Sequence, residues 1–345
     1  MNDLNNGDIV TIDKDFLHKK GFCGLNNLGN TCFMNSIIQC LNNTVPLLKY
    51  MFSEDFNEST NSQRDGYELV SELKLTMKNL WNKNSVYSPV NFFRELQLLS
   101  MKKNRIEFTG FGQNDSQEFL QFILEILHEV LSTEINIEIE GNANNDFDTV
   151  MLEAYKSYKV FFENDYSQII EIFYGQYFTK LDIITEDKHE KNNSFEPFNM
   201  ISLDMGGEAE TLYNCLDNFT KPEIIIDDET QKIKKQVFFW DLPDILIIFL
   251  KRYDNNLDKI TKRIDFPLEN LDMSPYIKGY EKDKYKYNLY AVSNHSGGMG
   301  GGHYWSYIKN IDNNWYKFND NVVSTITKEN VVSETAYCLF YTINN

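Results

Sequence analysis

The chain has 345 residues, of which 42% are hydrophobic, and it carries a formal net charge of −18 at pH 7. This length and apolar content allow a sizeable buried core, and the absence of a long linker or repeat favours one composite domain. The acidic balance argues against nucleic acid or an anionic membrane as a partner, because binding phosphate groups requires a basic surface.

The chain shows no secretory signal, long apolar run or lipidation motif. It has five cysteines, and an odd number of thiols suits a reducing compartment. We therefore expect a cytoplasmic or nuclear protein in which residues 1–20 form a polar N-terminal extension. The sequence carries no signal of oligomeric state.

Apolar periodicity divides the chain into a mostly helical first half and a second half made mostly of strands. Helical spacing predicts helices over residues 65–81, 88–99 and 113–131. Extended runs predict strands over residues 245–253, 287–294, 303–310, 314–318 and 336–343. This arrangement predicts an α+β fold.

Cys32 lies where a polar, glycine-interrupted segment turns into a run with helical spacing. Asn30 and Thr31 are good N-cap residues and apolar residues recur from Met34 to Leu41, so Cys32 is predicted in the first turn of a helix. The unpaired N–H groups and positive dipole end there favour the nucleophilic thiolate. An isolated cysteine at a helix start is more often a small buried hydrophobe, so the choice depends on its neighbours.

Asn27 precedes the cysteine by five residues, which allows its side-chain amide to fold back beside the sulfur. Such a donor stabilises a tetrahedral oxyanion by roughly 3 kcal/mol. A turn hydrogen bond beside Gly29 is the alternative role of this asparagine.

Two histidines near the C-terminal end are candidate general bases. His303 follows a glycine run and begins an alternating stretch, and His295 lies eight residues upstream. Spacing alone does not choose between them, and either one is also consistent with a simple loop histidine. A hairpin would place Asn319 or Asp320 beside the ring, and cysteine, histidine, then asparagine or aspartate is the chain order of papain-like thiol catalysis.

Several segments together resemble the ubiquitin-specific proteases. GLNNLGNTCFMNSIIQCL at residues 24–41 is similar to the cysteine box of that family, and GGHYWSYIKN at 301–310 with WYKFND at 315–320 is similar to its histidine box. GQNDSQEFL at 112–120 resembles the family's Gln-x-Asp-x-x-Glu-Phe segment, and LIIFLKRY at 246–253 resembles a core strand. The resemblance extends over about residues 21–343.

The resemblance implies that Cys32 is the nucleophile, His303 the general base and Asn319 the residue that orients the imidazole. It also implies that Asn27 is the oxyanion donor and Asp320 a nearby helper. Many relatives have aspartate at the position of Asn319. A neutral amide there fixes the tautomer of the ring without stabilising an imidazolium by charge.

The resemblance further implies thiol-dependent hydrolysis of the amide at the C-terminal glycine of ubiquitin, most often an isopeptide bond, through a thioester. No metal or organic cofactor is expected, and the expected partners are ubiquitin and ubiquitinated proteins. Two alternatives stay open. One is a protease for another ubiquitin-like modifier, and the other is a catalytically silent protein that binds ubiquitin.

The residues that the resemblance assigns to substrate binding are Gln113, Asp115, Glu118, His295 and Tyr304. Asp115 and Glu118 are expected to meet the arginines of the ubiquitin tail, and His295 is expected on a loop near that tail. Asp115 followed by Glu118 and an apolar run is equally typical of a helix cap, so both roles stay open.

The resemblance implies a papain-like fold with a helical thumb (about 21–165), β fingers with part of the palm (166–240) and a β-rich palm (241–345). Many relatives hold zinc in the fingers with two Cys-x-x-Cys pairs, but this stretch contains only Cys215. We therefore predict no structural zinc, with Cys215 as a core thiol and His189 as an exposed loop residue.

Overall fold

The computed structural model of the chain describes residues 12–344 apart from 19, 83, 185–188, 229–230, 255 and 299–300. Most of the predicted N-terminal extension therefore lies outside the described residues. The helices of the described part are α1 (Lys14–Leu17), α2 (Cys32–Asn42), α3 (Val45–Met51), α4 (Glu54–Ser59), α5 (Tyr67–Asn82), α6 (Val90–Lys102), α7 (Ser116–Leu131), α8 (Asp146–Phe162), α9 (Gln168–Phe173) and α10 (Leu212–Phe219).

The strands fall mostly in the second half of the chain, as predicted. They are β1 (Gly24–Leu25), β2 (Val86–Tyr87), β3 (Gly175–Ile184), β4 (His189–Phe198), β5 (Ile201–Asp204), β6 (Glu223–Asp228), β7 (Gln231–Asp241), β8 (Ile245–Lys251), β9 (Leu271–Asp272), β10 (Lys286–Gly298), β11 (Gly301–Lys309), β12 (Trp315–Asn319), β13 (Val322–Ile326) and β14 (Ala336–Ile343).

Each predicted helix and strand is present, with ends shifted by a few residues. Helix α7 begins later than predicted, at Ser116, because Asp115 is its N-cap residue. Every helix within the described ranges is too short or too polar to cross a membrane.

A mixed sheet forms the framework of the C-terminal half. Its strands follow the order β13-β12-β11-β10-β14-β8-β5, and β9 pairs with β10 beside this path. The pairs are antiparallel except for β5 with β8, which are parallel. Residues 245–250 of β8 are all buried, as expected for a strand covered on both faces.

The helix α2 joins the helical half to this sheet. All 11 of its residues are buried. The helix contacts α3, α5 and α7 on one side and β10, β11 and β12 on the other. An ordinary surface helix keeps one polar face in water, whereas α2 is enclosed, so its N-terminal residue Cys32 lies at the junction of helices and sheet.

A separate antiparallel sheet of order β4-β3-β7-β6 lies within residues 175–241, where the fingers are expected. Phe178 stacks on Phe195 with ring centroids 4.9 Å apart, and Trp240 packs edge-on against both. His189 is the first residue of β4, pairs with Ile184 and is exposed. The prediction of a loop at His189 was wrong because the β3–β4 ladder extends to this residue.

Candidate active site

Cys32 is the first residue of α2, as predicted, and Thr31 is the N-cap residue. The Thr31 hydroxyl accepts a hydrogen bond from the amide of Leu28 at 2.9 Å, which shapes the loop and not the first turn of the helix. The thiol side chain is buried, and the backbone N–H of Tyr304 is close enough to lower its pKa. This proximity places the start of β11 beside the sulfur of Cys32.

The surroundings of Cys32 on balance disfavour its thiolate. Burial raises the pKa of Cys32 above its ordinary value, and the Asp320 carboxylate raises it further. The amides of Tyr304 and of the first residues of α2 lower this pKa without cancelling the rise. The amides of Cys32 and Phe33 at the helix N-terminus favour the thiolate, as expected, but the pKa is raised overall because desolvation of the charge exceeds their effect.

His303 and Asn319 meet through the predicted hairpin of β11 and β12. These strands pair in antiparallel register from Ser306 with Phe318 outward, and His303 Nε2 lies 2.5 Å from Asn319 Oδ1. An amide oxygen only accepts hydrogen bonds, so Nε2 carries the proton in this contact. In a neutral ring Nδ1 is then the basic nitrogen, and no described residue hydrogen-bonds to it.

Asp320 faces away from His303 and binds the segment around Cys32. Its Oδ2 accepts a hydrogen bond from Asn27 Nδ2 at 3.0 Å, and its Oδ1 accepts one from Asn35 Nδ2 at 2.8 Å. The carbonyl of Asp320 also accepts a hydrogen bond from the Leu25 amide at 2.9 Å. Asp320 adopts a left-handed φ of 49°, which aspartate tolerates better than most residues.

The side chain of Asn27 is held at both ends. Its Oδ1 accepts hydrogen bonds from the amides of Gly29 at 3.1 Å and Thr31 at 3.0 Å, while its Nδ2 donates to Asp320. The turn role that we considered for Asn27 is therefore confirmed for its oxygen. Because a side-chain amide has two N–H groups, the nitrogen keeps one hydrogen beyond the bond to Asp320.

Gln113 connects the helical half to the residue before His303. Its Nε2 donates to the Gly302 carbonyl at 3.0 Å, and its Oε1 accepts from the Gly302 amide at 2.5 Å. This pair of hydrogen bonds fixes the beginning of β11. Substrate binding by Gln113 stays a prediction.

Asp115 is the N-cap residue of α7, so the cap that we considered is confirmed. Its Oδ1 accepts a hydrogen bond from the Gln117 amide at 2.6 Å, and its Oδ2 accepts one from the Tyr337 hydroxyl at 2.7 Å. Glu118 is exposed in the first turn of the same helix. Contact of Asp115 and Glu118 with a substrate stays a prediction.

His295 lies within β10 and not on a loop, and its side chain is buried. The loop prediction was wrong because β10 continues to Gly298, in register with β11. The ring of His295 stacks on Tyr304 with centroids 4.4 Å apart, and its Nδ1 lies 3.1 Å from Lys259 Nζ. Tyr304 is also buried, and substrate binding by these two residues stays a prediction.

Sequence reasoning missed three residues that contact this site. Asn35 is a buried polar residue within the apolar run of α2, and this break in the pattern was a usable signal. Lys259 and Tyr337 carried no local signal, because their contacts with His295 and Asp115 depend on long-range packing.

The described residues do not fit the zinc site that the resemblance associates with the fingers. No group of three or more cysteine, histidine, aspartate or glutamate side chains in this part of the chain is placed to hold a metal ion. Cys215 lies in α10, packed in the core beside the mixed sheet. One thiol cannot form a tetrahedral thiolate site.

Comparison with known sequences places this geometry in a family. The family described as "Ubiquitin carboxyl-terminal hydrolase" matches residues 23–341. The bovine (Bos taurus) "Ubiquitin carboxyl-terminal hydrolase 2" is 33% identical over 341 residues, covering 93% of this chain and 55% of that protein. The chicken (Gallus gallus) protein of the same name is 34% identical over 349 residues, covering 93% of each. The chain thus spans about half the length of the bovine relative.

Solved structures show the same fold. The structure titled "Structure of the SAGA Ubp8/Sgf11/Sus1/Sgf73 DUB module bound to ubiquitin aldehyde" matches with a TM-score of 0.70 and 28% identity, covering 95% of this chain and 71% of that one. A second structure of the SAGA DUB module, bound to monoubiquitin, matches with a TM-score of 0.71 and 27% identity, covering 95% and 70%. These matches confirm the expected α+β fold. With a family match across most of its length and relatives above 30% identity, the chain belongs to the ubiquitin carboxyl-terminal hydrolase family.

Proposed function

We propose that the chain is a thiol-dependent deubiquitinase that hydrolyses the amide or isopeptide bond at the C-terminal glycine of ubiquitin. One arrangement carries the proposal. His303 is oriented by its 2.5 Å hydrogen bond to Asn319, and the amide of the next residue, Tyr304, lowers the pKa of the Cys32 thiol. A thiol, an imidazole and an orienting amide are the components of papain-like catalysis. The Ubp8 structures with monoubiquitin and ubiquitin aldehyde support ubiquitin as the ligand.

The proposed reaction has two stages. Because burial raises the pKa of Cys32, the proton of Cys32 passes to His303 Nδ1 as the sulfur attacks the glycine carbonyl. His303 then donates this proton to the departing amine as the C–N bond breaks, which leaves a thioester on Cys32. Water attacks the thioester with His303 as the base, and the ubiquitin carboxylate and the thiol are released.

Asn27 is the proposed oxyanion donor. Its Nδ2 is anchored to Asp320 through one hydrogen, and the second hydrogen is free to meet the oxygen of the tetrahedral intermediate. A donor fixed before the reaction begins costs no reorganisation when negative charge develops. Asp320 acts in this scheme by holding Asn27 in place.

The proposed substrate contact is electrostatic. Asp115 and Glu118 lie at the N-terminal end of α7, on a chain with a net charge of −18. Negative side chains at this end of the helix suit a tail that carries arginines, and charge complementarity increases the rate of encounter.

We also propose a cytoplasmic or nuclear location. All five cysteines are free thiols: Cys23, Cys32, Cys40, Cys215 and Cys338. A reactive free thiol persists in a reducing compartment.

The test is covalent labelling with a ubiquitin probe that carries a C-terminal electrophile. We expect one adduct on Cys32, none in Cys32→Ala, and normal labelling of Cys23→Ala, which removes another buried thiol. Parallel probes made from other ubiquitin-like modifiers test the choice of modifier. Faster labelling by one of these probes would identify its modifier, and not ubiquitin, as the substrate. Ubiquitin binding without any adduct would indicate a catalytically silent binding protein.

A further inference from the structure

Lys259 holds the end of β10 with three hydrogen bonds. Its Nζ lies 3.1 Å from His295 Nδ1, and it donates to the carbonyls of His295 at 3.0 Å and Gly297 at 2.9 Å. An ammonium group has three donors and no acceptor, so Nδ1 of His295 must be the acceptor and the ring proton must be on Nε2. The lysine lies on the connection between β8 and β9 and therefore joins this connection to β10.

The ring of His295 contacts the residues on both sides of His303. A Cβ atom at Gly302 would lie 2.3 Å from His295 Nε2, which shows that the edge of the ring abuts this glycine. The face of the ring stacks on Tyr304 at 4.4 Å, and the Tyr304 amide is close enough to Cys32 to lower the pKa of its thiol. His295 therefore packs against the backbone on both sides of His303, and a shift of its ring would move that backbone.

We propose that Lys259 is a positioning residue that holds the ring of His295 and fixes the start of β11, and thereby His303, against Cys32. The catalytic consequence rests on the proposed deubiquitinase function. The effect on His295 itself does not depend on that function.

The surroundings of His295 favour the neutral ring. Burial, followed by the charges of Lys259 and His303, lowers the pKa of His295 to about 4. The charged and titratable groups that face the ring come from three parts of the fold: Lys259 and Tyr253 from the β8–β9 connection, His303 and Tyr304 from β11, and Tyr337 from β14 with the Asp115 carboxylate bound to it. Asp115 is hydrogen-bonded to Tyr337 and not to the ring.

The first experiment measures the titration of His295 by NMR in the whole chain, with histidine labelled in the ring and the signal assigned through His295→Gln. In Lys259→Met the pKa of His295 is expected to rise by about 1, because a cation next to the ring is removed while burial remains. Lys259→Arg, which keeps the charge, is expected to leave it near 4. The matched control is Lys262→Met, three residues along, whose Nζ donates to the Gly207 carbonyl.

The second experiment measures hydrolysis of a fluorogenic ubiquitin amide against pH. Lys259→Met is expected to lower kcat about tenfold, because the reacting groups lose their alignment, and to move the acidic limb of kcat/KM to higher pH. In the double variant Lys259→Met with His295→Gln, the acidic limb of kcat/KM is expected to return to its original pH, because the titrating ring is gone. Its kcat is expected to stay low, because the hydrogen bonds of Lys259 are still missing.

The proposal is overturned if Lys259→Met and Lys262→Met give the same His295 titration and the same kcat. If Lys259→Met does not fold, the kcat of Lys259→Arg tests the proposal instead. A loss of activity while the pKa of His295 stays the same is expected only if the three hydrogen bonds position the strand. If the unaltered chain does not hydrolyse ubiquitin amides, the proposed function fails, and the NMR titration still decides whether Lys259 lowers the pKa of His295.

Discussion

Asn27 and Asp320, which are 293 positions apart in the sequence, are joined by a 3.0 Å hydrogen bond from Nδ2 to Oδ2. The bond links the loop before Cys32 to the turn that follows Asn319. Asn27, the proposed oxyanion donor, therefore connects the part of the site around Cys32 to the part around Asn319. The alignment of these two parts depends on the packing of α2 against the sheet.

Replacing Asn27 with alanine is expected to lower kcat about a hundredfold with little change in KM, because the donor acts on the transition state. Steady-state kinetics with a fluorogenic ubiquitin substrate measure this effect. Asn26→Ala is the matched control, since the adjacent amide donates to the Ser88 hydroxyl at 2.7 Å. Equal losses in the two variants would contradict the oxyanion role.

Replacing Asp320 with asparagine is expected to lower the pKa of Cys32, because the carboxylate raises it in the native chain. The rate of Cys32 alkylation, followed by mass spectrometry, should therefore rise at a lower pH than in the unaltered chain. The same variant should lose activity, because an NH2 donor replaces one of the two oxygens that accept separately from Asn27 and Asn35. Asp312→Asn, at a surface turn, should leave the pH dependence of Cys32 alkylation unchanged.

Replacing Asn319 with alanine is expected to lower kcat by about a hundredfold, because the ring of His303 loses the acceptor that fixes its tautomer and orientation. Asn319→Asp keeps an oxygen acceptor and is expected to retain most of the activity. Single-turnover kinetics separate this effect from substrate binding. Equal activity of the alanine variant and the unaltered chain would remove Asn319 from the mechanism.

The two roles considered for Asp115 are separable. Asp115→Ala is expected to lower the free energy of unfolding by about 1 kcal/mol, because α7 loses its cap. Asp115→Ser restores a capping oxygen and should recover stability in a thermal melt, but it lacks the carboxylate. If KM for ubiquitin rises in both variants, Asp115 also binds substrate, whereas recovery of KM with serine would assign it to the cap alone.

Replacing Gly302 with alanine is expected to displace the start of β11 and reduce kcat about tenfold or more. The added Cβ would lie 2.3 Å from His295 Nε2 and 2.5 Å from the Ser296 carbonyl, and it would disturb the two hydrogen bonds to Gln113. Gly301→Ala is the control, because a Cβ there meets no atom within 4 Å. Similar activities of the two variants would show that β11 accommodates the added Cβ without a displacement that affects kcat.

Local pattern in the sequence was sufficient for the elements around the candidate site. The helix at Cys32 and the hairpin between His303 and Asn319 were predictable because helical and strand periodicity are short-range properties. Motif resemblance chose His303 over His295, a choice that spacing alone left open.

Tertiary structure decided the electrostatics and the connections between distant residues. Cys32 is at a helix start as predicted, yet its pKa is raised, because desolvation depends on how β11 and the Asp320 turn close over the thiol. His295 is in a strand held by Lys259, and Asp320 binds Asn27 and Asn35. Such contacts join residues far apart in the chain, and only the folded packing determines which polar groups lose water and which find partners.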